Sequence, residues 1–490
     1  MDTGAVDLLG AFALMALVLT LSALAAGIVE RAPLSFPMIF LGLGLLLGPR
    51  GLEILHLELH SPALEAVATV TLALVLFLDA VNLEFARERK EWLVPALSLG
   101  PGTLLIVLLV AGAGTLLLDL PPVIALLLGA VLASTDPVVL RDVVRDRRLP
   151  SSVRQALKVE AGTNDIVVLP LVLVLTAVGH GEVGGTGDWI LFALELLVFG
   201  PVAGFIVGAL GSELMARADR RFGIRREYQA LYGIGLVLGA YAAGVGVGGD
   251  GFLAAFAAGF AVTVLDRELC DCFLEFGEAA AEMAMLLAFV MFGVVLSDSL
   301  RILPLIPSLA LAAITIFIAR PLAVGGILSL RGVAVSAHAR AFIAWFGPRG
   351  LNSLLFALLV VLTDLPDSDV LFAATGAVVL MSVLAHGATA TPITGWYAGK
   401  VSGETLVEER ENSASGLFVA HPDDVERVSV DELHAMLQGS EPPVVLDVRT
   451  RSQYERDAAA IPGSLRVMPD DVAGWAESQD EKKLVVLYCT

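Results

Sequence analysis

The stretch Ala133-Ser134-Thr135-Asp136-Pro137 lies in the middle of a long apolar run, 121–145, and decides the fold. Proline lacks a backbone N–H and clashes with the preceding helical turn, so it interrupts a helix. A carboxylate at membrane depth costs roughly 2.5–3.5 kcal/mol and therefore marks a functional site by default. The stretch predicts a transmembrane helix that unwinds around Asp136. The alternative is a capped helix start at a loop, which the apolar residues on both sides disfavour.

The composition places most of the chain in a membrane. Of its 490 residues, 57% are hydrophobic and 17% are charged, and the mean hydropathy is +0.81. Soluble domains do not sustain such an average, and a membrane helix needs about 20 apolar residues. Thirteen apolar runs are candidate spans: 8–29, 35–48, 62–83, 93–118, 121–145, 152–178, 188–216, 227–248, 251–266, 277–298, 302–330, 340–363 and 368–398.

Basic residues occur mainly in alternate connections. They follow the third, fifth, seventh, eleventh and last runs, as at Arg87, Arg145 to Arg148, Arg217 to Arg226, Arg331 and Lys400. Positively charged loops favour the cytoplasmic side. The pattern predicts an outside N-terminus, a cytoplasmic C-terminus and an odd number of spans, about thirteen. We expect a multi-pass protein of the cell (inner) membrane, in contact with lipid and without a nucleic-acid partner.

A second interruption, Gly347-Pro348-Arg349-Gly350, lies in the twelfth run. If the first six and last six spans form two inverted repeats, the fifth and twelfth runs correspond to each other. Broken helices at corresponding positions are typical of the ion sites of transporters. The expected fold is therefore an all-α polytopic membrane protein with two inverted repeats and crossed broken helices.

The sixth run carries Glu160-Ala161-Gly162-Thr163-Asn164-Asp165. Glu160 and Asp165 are five residues apart and point to different faces of one helix. One acid can therefore serve an ion and the other a structural pair. Arg349 is the predicted partner of Glu160, because a buried arginine without a carboxylate is unfavourable. The alternative is that both acids belong to structural ion pairs.

Two further charged residues lie within apolar runs. Asp79 lies near the cytoplasmic end of the third run, and Arg320 precedes a proline in the eleventh. Arg320 has no certain partner from the sequence, although Glu278 and Glu282 are candidates. Ionisable groups at such depth pair with one another or line an ion pathway.

The motifs at Thr135-Asp136-Pro137, Glu160, Asn164-Asp165 and Gly347 to Gly350 together resemble the NhaP/NHE group of monovalent cation:proton antiporters. The resemblance covers residues 1–398. It implies that Asp136 and Asp165 bind the transported cation, expected to be Na+, and the proton alternately, and that Glu160 pairs with Arg349. It also implies a homodimer with a moving core and a static dimer domain.

The Asn164-Asp165 pair implies electroneutral exchange within that group. A serine that commonly helps to bind the ion is replaced here by Ala161, and Thr163 is expected to compensate. The predicted cation and proton site thus comprises Asp136, Asp165, Thr135, Asn164, Thr163 and Asp79. A channel is the alternative mechanism, but channels are built on ring-forming repeats or carbonyl filters. No cofactor is expected.

The composition changes after the last span. Residues 399–425 are predicted to be a polar linker, and 426–490 a small α/β domain with strands at 443–449 and 484–488. This tail resembles a rhodanese-like domain, in which Cys489 corresponds to the persulfide-carrying cysteine, whose thiol a loop of amides activates. Because the chain stops at Thr490 and Ala460 replaces the usual histidine, we expect no sulfurtransferase activity. The alternative function is a membrane-anchored sulfurtransferase or a sulfur-sensing regulated transporter.

Overall fold

A computed structural model shows how these segments pack. It describes residues 16–17, 20–21, 24, 35–82, 93–181, 186–265, 267–330, 335–404, 406, 428–439, 442–457, 459–469, 471–477, 479 and 483–488. Within these ranges, the secondary-structure elements of the membrane part are all helices. Most of the first candidate span, 8–29, lies outside them.

The membrane helices run in chain order from α1 to α14. Those before the middle of the chain are α1 Phe36–Leu47, α2 Pro62–Val81, α3 Leu93–Leu118, α4 Pro122–Ala133, α5 Pro137–Arg145, α6 Ser151–His180 and α7 Gly187–Phe222. Those after it are α8 Arg226–Gly246, α9 Gly251–Leu265, α10 Arg267–Ser299, α11 Leu305–Ile327, α12 Ala337–Trp345, α13 Leu351–Val361 and α14 Ser368–Gly403.

The helices confirm a multi-pass membrane protein. Among the described residues, eight helices are long and apolar enough to cross a bilayer, and α1, α4, α9 and α13 are shorter apolar helices. The described helices coincide with the second to thirteenth candidate runs, with two of those runs each divided into two halves. The total of thirteen spans stays a prediction.

Both predicted interruptions are present. The first lies between Ala133 and Pro137, where α4 ends and α5 begins. The second lies between Trp345 and Leu351, where α12 ends and α13 begins. The amide of Asp136 in the first donates to the carbonyl of Pro348 in the second, at 2.8 Å. The two broken helices therefore cross at their interruptions.

The helices form two bundles that pack mainly within themselves. We call α3 to α6 with α11 to α14 the crossing bundle, because both interruptions lie in it. The flanking bundle comprises α1, α2 and α7 to α10. Contacts between the bundles are fewer and involve chiefly α1, α2, α10, α13 and α14.

The C-terminal tail is a small α/β unit. Its elements are α15 Val430–Leu437, β1 Val444–Asp447, α16 Arg451–Arg456, β2 Leu465–Arg466, α17 Val472–Glu477 and β3 Val485–Tyr488. The strands are parallel in the order β2, β1, β3, with Leu446 opposite both Leu465 and Leu487. Leu446, Val448 and Val467 form a separate apolar core, so the tail folds around its own centre.

Candidate functional site

A single carboxylate joins the two broken helices. Asp136 precedes α5, and its Oδ1 accepts from the amide of Val138 at 2.8 Å. Its Oδ2 accepts from the amide of Leu351, the first residue of α13, at 2.9 Å. Helix N-termini carry free N–H groups and a partial positive charge. Asp136 therefore caps both half-helices, which unites the two sequence interpretations of this motif as a broken helix and a capped one.

Two glycines allow this crossing. A Cβ on Gly350 would lie 1.7 Å from Asp136 Oδ2, and one on Gly347 would lie 2.0 Å from Arg320 Nε. Non-bonded atoms cannot approach so closely. Both glycines of the Gly-Pro-Arg-Gly motif are therefore restricted to glycine by close approach. Pro348 lies between them, in the non-helical segment between α12 and α13.

Arg349 caps the carboxyl end of α4. Its Nη1 donates to the carbonyls of Ala133 at 3.2 Å and Ser134 at 3.0 Å. Its own amide donates to Ser382 Oγ at 2.7 Å. Carbonyls at a helix C-terminus are left without partners and carry partial negative charge. The guanidinium, only 1% exposed, thus serves backbone atoms rather than a carboxylate.

The predicted ion pair between Glu160 and Arg349 is wrong. Glu160 Oε1 instead accepts from Arg320 Nη1, and both side chains are buried. Arg320 Nη2 also donates to the carbonyls of Ile343 at 3.2 Å and Phe346 at 2.8 Å, at the end of α12. Arg349 donates its hydrogen bonds to the carbonyls at the end of α4. Arg320 on α11 is therefore the arginine that neutralises Glu160.

This pair also corrects the partner expected for Arg320. Neither Glu278 nor Glu282 is its partner, since Arg320 bonds to Glu160. Glu282 on α10 instead lies 3.2 Å from Arg141 Nη1 on α5. That second ion pair bridges the flanking and crossing bundles.

Asp165 lies on α6, the helix that follows α5. Its hydrogen-bond partners differ from those of Asp136. The hydroxyl of Ser134 donates to Asp165 Oδ1 at 2.7 Å, and the side-chain Nδ2 of Asn352 donates to its Oδ2. The residue is 1% exposed. Among the described side chains, no lysine or arginine forms a salt bridge with it. Its negative charge is therefore stabilised only by neutral donors.

Asn164 connects the same helix to the first interruption. Its Nδ2 donates to the carbonyl of Ala133 at 3.1 Å and to Thr135 Oγ1 at 3.3 Å. Its Oδ1 is buried and has no hydrogen-bond partner among the described residues. The structure thus brings Thr135, Asp136, Asn164 and Asp165 together, with one amide oxygen left over to coordinate a ligand.

Two other predicted site residues are placed differently. The hydroxyl of Thr163 donates to the carbonyl of Val159 in its own helix at 2.6 Å. Two residues along a helix point to nearly opposite faces, so Thr163 does not share the face of Asp165. Asp79 on α2 is half-buried, and its Oδ2 has no partner among the residues that the structure describes. Asp79 lies within electrostatic range of Asp165 and Asp136.

The sequence reasoning missed Asn352, Ser134 as a side-chain donor, and the support of Arg349 by Ser382 and His386. His386 Nδ1 lies 3.1 Å from Ser382 Oγ, and its Nε2 lies 3.1 Å from the carbonyl of Trp345. A polar side chain at the start of a half-helix faces the interruption, which is the signal that could have identified Asn352. Cys489 lies outside the described residues, which end in β3 at Tyr488.

Comparisons with known proteins identify the family and the fold. Residues 16–396 match the sequence model of the family described as sodium/hydrogen exchanger, transmembrane, and residues 429–490 match a rhodanese-like domain. A solved sodium proton antiporter, MjNhaP1 from Methanocaldococcus jannaschii at pH 8, shares the fold. Its TM-score is 0.66 at 23% identity, covering 80% of this chain and 100% of that one.

Curated relatives include two bacterial proteins. The K(+)/H(+) antiporter NhaP of Alkalimonas amylolytica is 28% identical over 374 residues, which is 75% of this chain and 63% of that protein. The K(+)/H(+) antiporter NhaP2 of Shewanella sp. (strain MR-4) is 28% identical over 386 residues, 78% of this chain and 66% of that protein. This chain thus spans slightly less than two thirds of the length of the curated relatives it matches. It belongs to the transmembrane sodium/hydrogen exchanger family and carries a C-terminal rhodanese-like domain.

Proposed function

We propose that the protein is a secondary antiporter that exchanges a monovalent cation for protons by alternating access. The observation that carries this proposal is the buried carboxylate of Asp165, which has only neutral hydrogen-bond donors. Burial disfavours an uncompensated charge. Such a carboxylate gains from either a proton or a cation, and the two compete for it.

The charge balance of the crossing supports one-for-one exchange. The buried carboxylates of Asp136, Asp165 and Glu160 face two buried arginines, Arg320 and Arg349. This set is left with one negative charge, which one proton or one monovalent cation neutralises. If the bundles move past each other only when that charge is neutralised, exchange is coupled and electroneutral. No other energy source is then required.

The cation is proposed to bind between Asp165, Thr135 and Asn164, beside Asp136. Carboxylate, hydroxyl and amide oxygens are hard donors of the kind that alkali cations prefer. The free Oδ1 of Asn164 and the lone pairs of Thr135 Oγ1 are available to such an ion. Both oxygens of Asp136 already accept backbone amides, so its main contributions are charge and the geometry of the crossing.

The identity of the cation rests on measurement. We propose Na+ as the first candidate, and K+ follows because the bacterial relatives are named K(+)/H(+) antiporters. A yeast relative from Zygosaccharomyces rouxii, 33% identical over 213 residues, is named Na(+)/H(+) antiporter 2. Proton flux in proteoliposomes containing Na+, K+ or Li+ on one side distinguishes these possibilities.

The decisive test is transport by Asp165→Asn. The variant keeps the shape of the side chain but cannot carry the alternating charge, so we expect cation-driven proton flux to be abolished. Asp369→Asn, at an exposed carboxyl near the start of α14, is the matched control and should transport normally. Exchange retained by Asp165→Asn would refute the proposal.

We further propose a homodimer in the inner membrane with a cytoplasmic tail. The most apolar window of α7 is only 17% buried within the chain, against 67% for α2. Exposed apolar side chains recur every four residues along one face of α7, at Val202, Ile206, Leu210 and Leu214. A second copy or lipid covers this face, and the mass of the detergent-solubilised protein distinguishes the two.

A further inference from the structure

The rhodanese-like tail touches the membrane part through three side-chain contacts, the first of them made by Arg451. Arg451, the first residue of α16, is only 7% exposed. Its Nη2 donates to the carbonyls of Arg147 at 3.3 Å and Leu149 at 3.2 Å. Both carbonyls belong to the short connection between α5 and α6. This connection joins the helix that Asp136 caps to the helix that carries Asp165.

A second contact lies beside the first. Arg154 on α6 forms an ion pair with Asp471 of the tail at 3.6 Å, and its Nε donates to the carbonyl of Leu149 at 3.2 Å. The carbonyl of Leu149 therefore accepts from one arginine of each domain. Leu149 itself is fully buried, so these charge-assisted bonds are sheltered from water and are stronger than surface bonds.

The third contact is at the other end of α16. Arg456 Nη2 donates to the carbonyl of Gly403, the last residue of α14, at 3.1 Å. Helix α16 also packs against α14. All three contacts are made with the crossing bundle.

The tail presents Arg451 from a rigid position. Arg449 binds Asp447 at the end of β1 with Nη2 to Oδ2 at 2.6 Å, and both are buried. Thr450 and Gln453 form a capping box that starts α16. The Arg449–Asp447 pair and the capping box therefore fix the position of Arg451 relative to the tail sheet.

We propose that the cytoplasmic end of the crossing bundle is a docking site for the chain's own rhodanese-like domain, and that docking controls transport by holding the α5–α6 connection. Helix α5 has nine residues, and its length is about 13.5 Å at a rise of about 1.5 Å per residue. One of its ends is the Asp136 crossing, and the other is the docked connection. The Arg141–Glu282 pair, which bridges the two bundles, lies on the same helix.

This inference rests on the proposed antiport but is tested separately from it. The variants are Arg451→Ala and, as a matched control, Glu455→Ala, an exposed residue of the same helix. The first readout is hydrogen exchange of the backbone amides of residues 146–149 in the full chain. Loss of two charge-assisted hydrogen bonds is expected to speed this exchange about tenfold or more in Arg451→Ala only.

The second readout is transport in proteoliposomes. Arg451→Ala should change the rate or the half-saturating cation concentration by about threefold or more, while Glu455→Ala should match the wild type. Hydrogen exchange of the amides of residues 146–149 that is unaltered in Arg451→Ala would overturn the docking. Altered exchange with unaltered transport would overturn the control of transport and retain the docking.

A charge reversal gives an independent check. Arg154→Asp and Asp471→Arg should each speed hydrogen exchange in the connection. The double variant should restore part of the protection, because the ion pair re-forms with reversed charges while the bond from Arg154 to the carbonyl of Leu149 stays lost. Additive effects in the double variant would show that the two residues do not interact. If Asp165→Asn abolishes transport as proposed while these variants behave like the wild type, the docking fails and the antiport does not.

Discussion

The two broken helices solve the same problem with side chains of opposite charge. The interruption between α4 and α5 contributes the carboxylate of Asp136, which caps the N-termini of α5 and α13. The interruption between α12 and α13 contributes Arg349, which caps the C-terminus of α4. Each free helix end at membrane depth thus meets a charge opposite to its partial charge. Because Asp136 and Arg349 each reach across to the other helix, neither interruption is stable without the other.

The two interruptions differ in what remains after capping. The first also supplies Ser134 and Thr135, which bond to Asp165 and Asn164. In the second interruption, the guanidinium of Arg349 donates to backbone carbonyls. Asn352, which follows that interruption on α13, contacts Asp165. The first interruption therefore has a structural role and also forms part of the proposed ion site, whereas the second mainly contributes a positive charge.

The largest effect is expected from Arg349→Ala. It leaves the carbonyl of Ser134 buried without its arginine donor, at a cost of about 1–3 kcal/mol, and leaves the carbonyl of Ala133 with only the Nδ2 of Asn164 as a side-chain donor. It also removes the positive charge from the crossing. Thermal unfolding should shift strongly downward, and transport should be lost. Arg349→Lys, which restores one donor but not the fork, should recover stability in part; stability equal to that of the wild type in the alanine variant would contradict the capping role.

Gly350→Ala is the next test. The added methyl would overlap Asp136 Oδ2, so Asp136 must withdraw from the amide of Leu351 and the crossing must widen. We expect a large loss of transport with protein that still inserts and purifies. Gly399→Ala on α14, where an added Cβ meets nothing within 4 Å, is the control. An active Gly350→Ala would show that Asp136 is not held as described.

The ion pair of Glu160 and Arg320 gives a third test, since it joins α6 to α11 and also reaches the end of α12 at the second interruption. Arg320→Leu alone leaves a buried carboxylate unpaired and should destabilise by about 3–5 kcal/mol. The double variant Arg320→Leu with Glu160→Leu removes both charges and should recover part of that loss, while the carbonyls of Ile343 and Phe346 still lack the arginine as a donor. Thermal unfolding of the four proteins of this cycle measures the coupling. An absence of coupling would contradict the pairing of Glu160 with Arg320.

The smallest effect is expected from Asn352→Ala. Asp165 then keeps the hydroxyl of Ser134 as a donor, so the site persists with one neutral bond fewer. We expect weaker discrimination between proton and cation, seen as a shifted pH dependence of transport, with stability changed by about 1 kcal/mol. A loss as complete as that of Asp165→Asn would assign Asn352 a direct part in binding the ion.

The sequence predicted the broken helices because their signals are local. A proline next to an acid, or between glycines and an arginine, stands out within an apolar run at Asp136 and Arg349. The partner of Glu160 could not be predicted, because the choice between Arg320 and Arg349 depends on which backbone carbonyls each arginine must satisfy. Asn352 was missed for a similar reason, since only the crossing places it against Asp165.

The sharing of one carboxylate by two helix ends has a mechanical consequence. If Asp136 left α13, it would expose an uncapped end of that half-helix, and the same shift would strain its bond to α5. Separating the half-helices therefore costs hydrogen bonds on both sides at once. We therefore expect the two broken helices to move together as one rigid unit. The displacement that opens the site to either side of the membrane then takes place at the boundary between the crossing and flanking bundles.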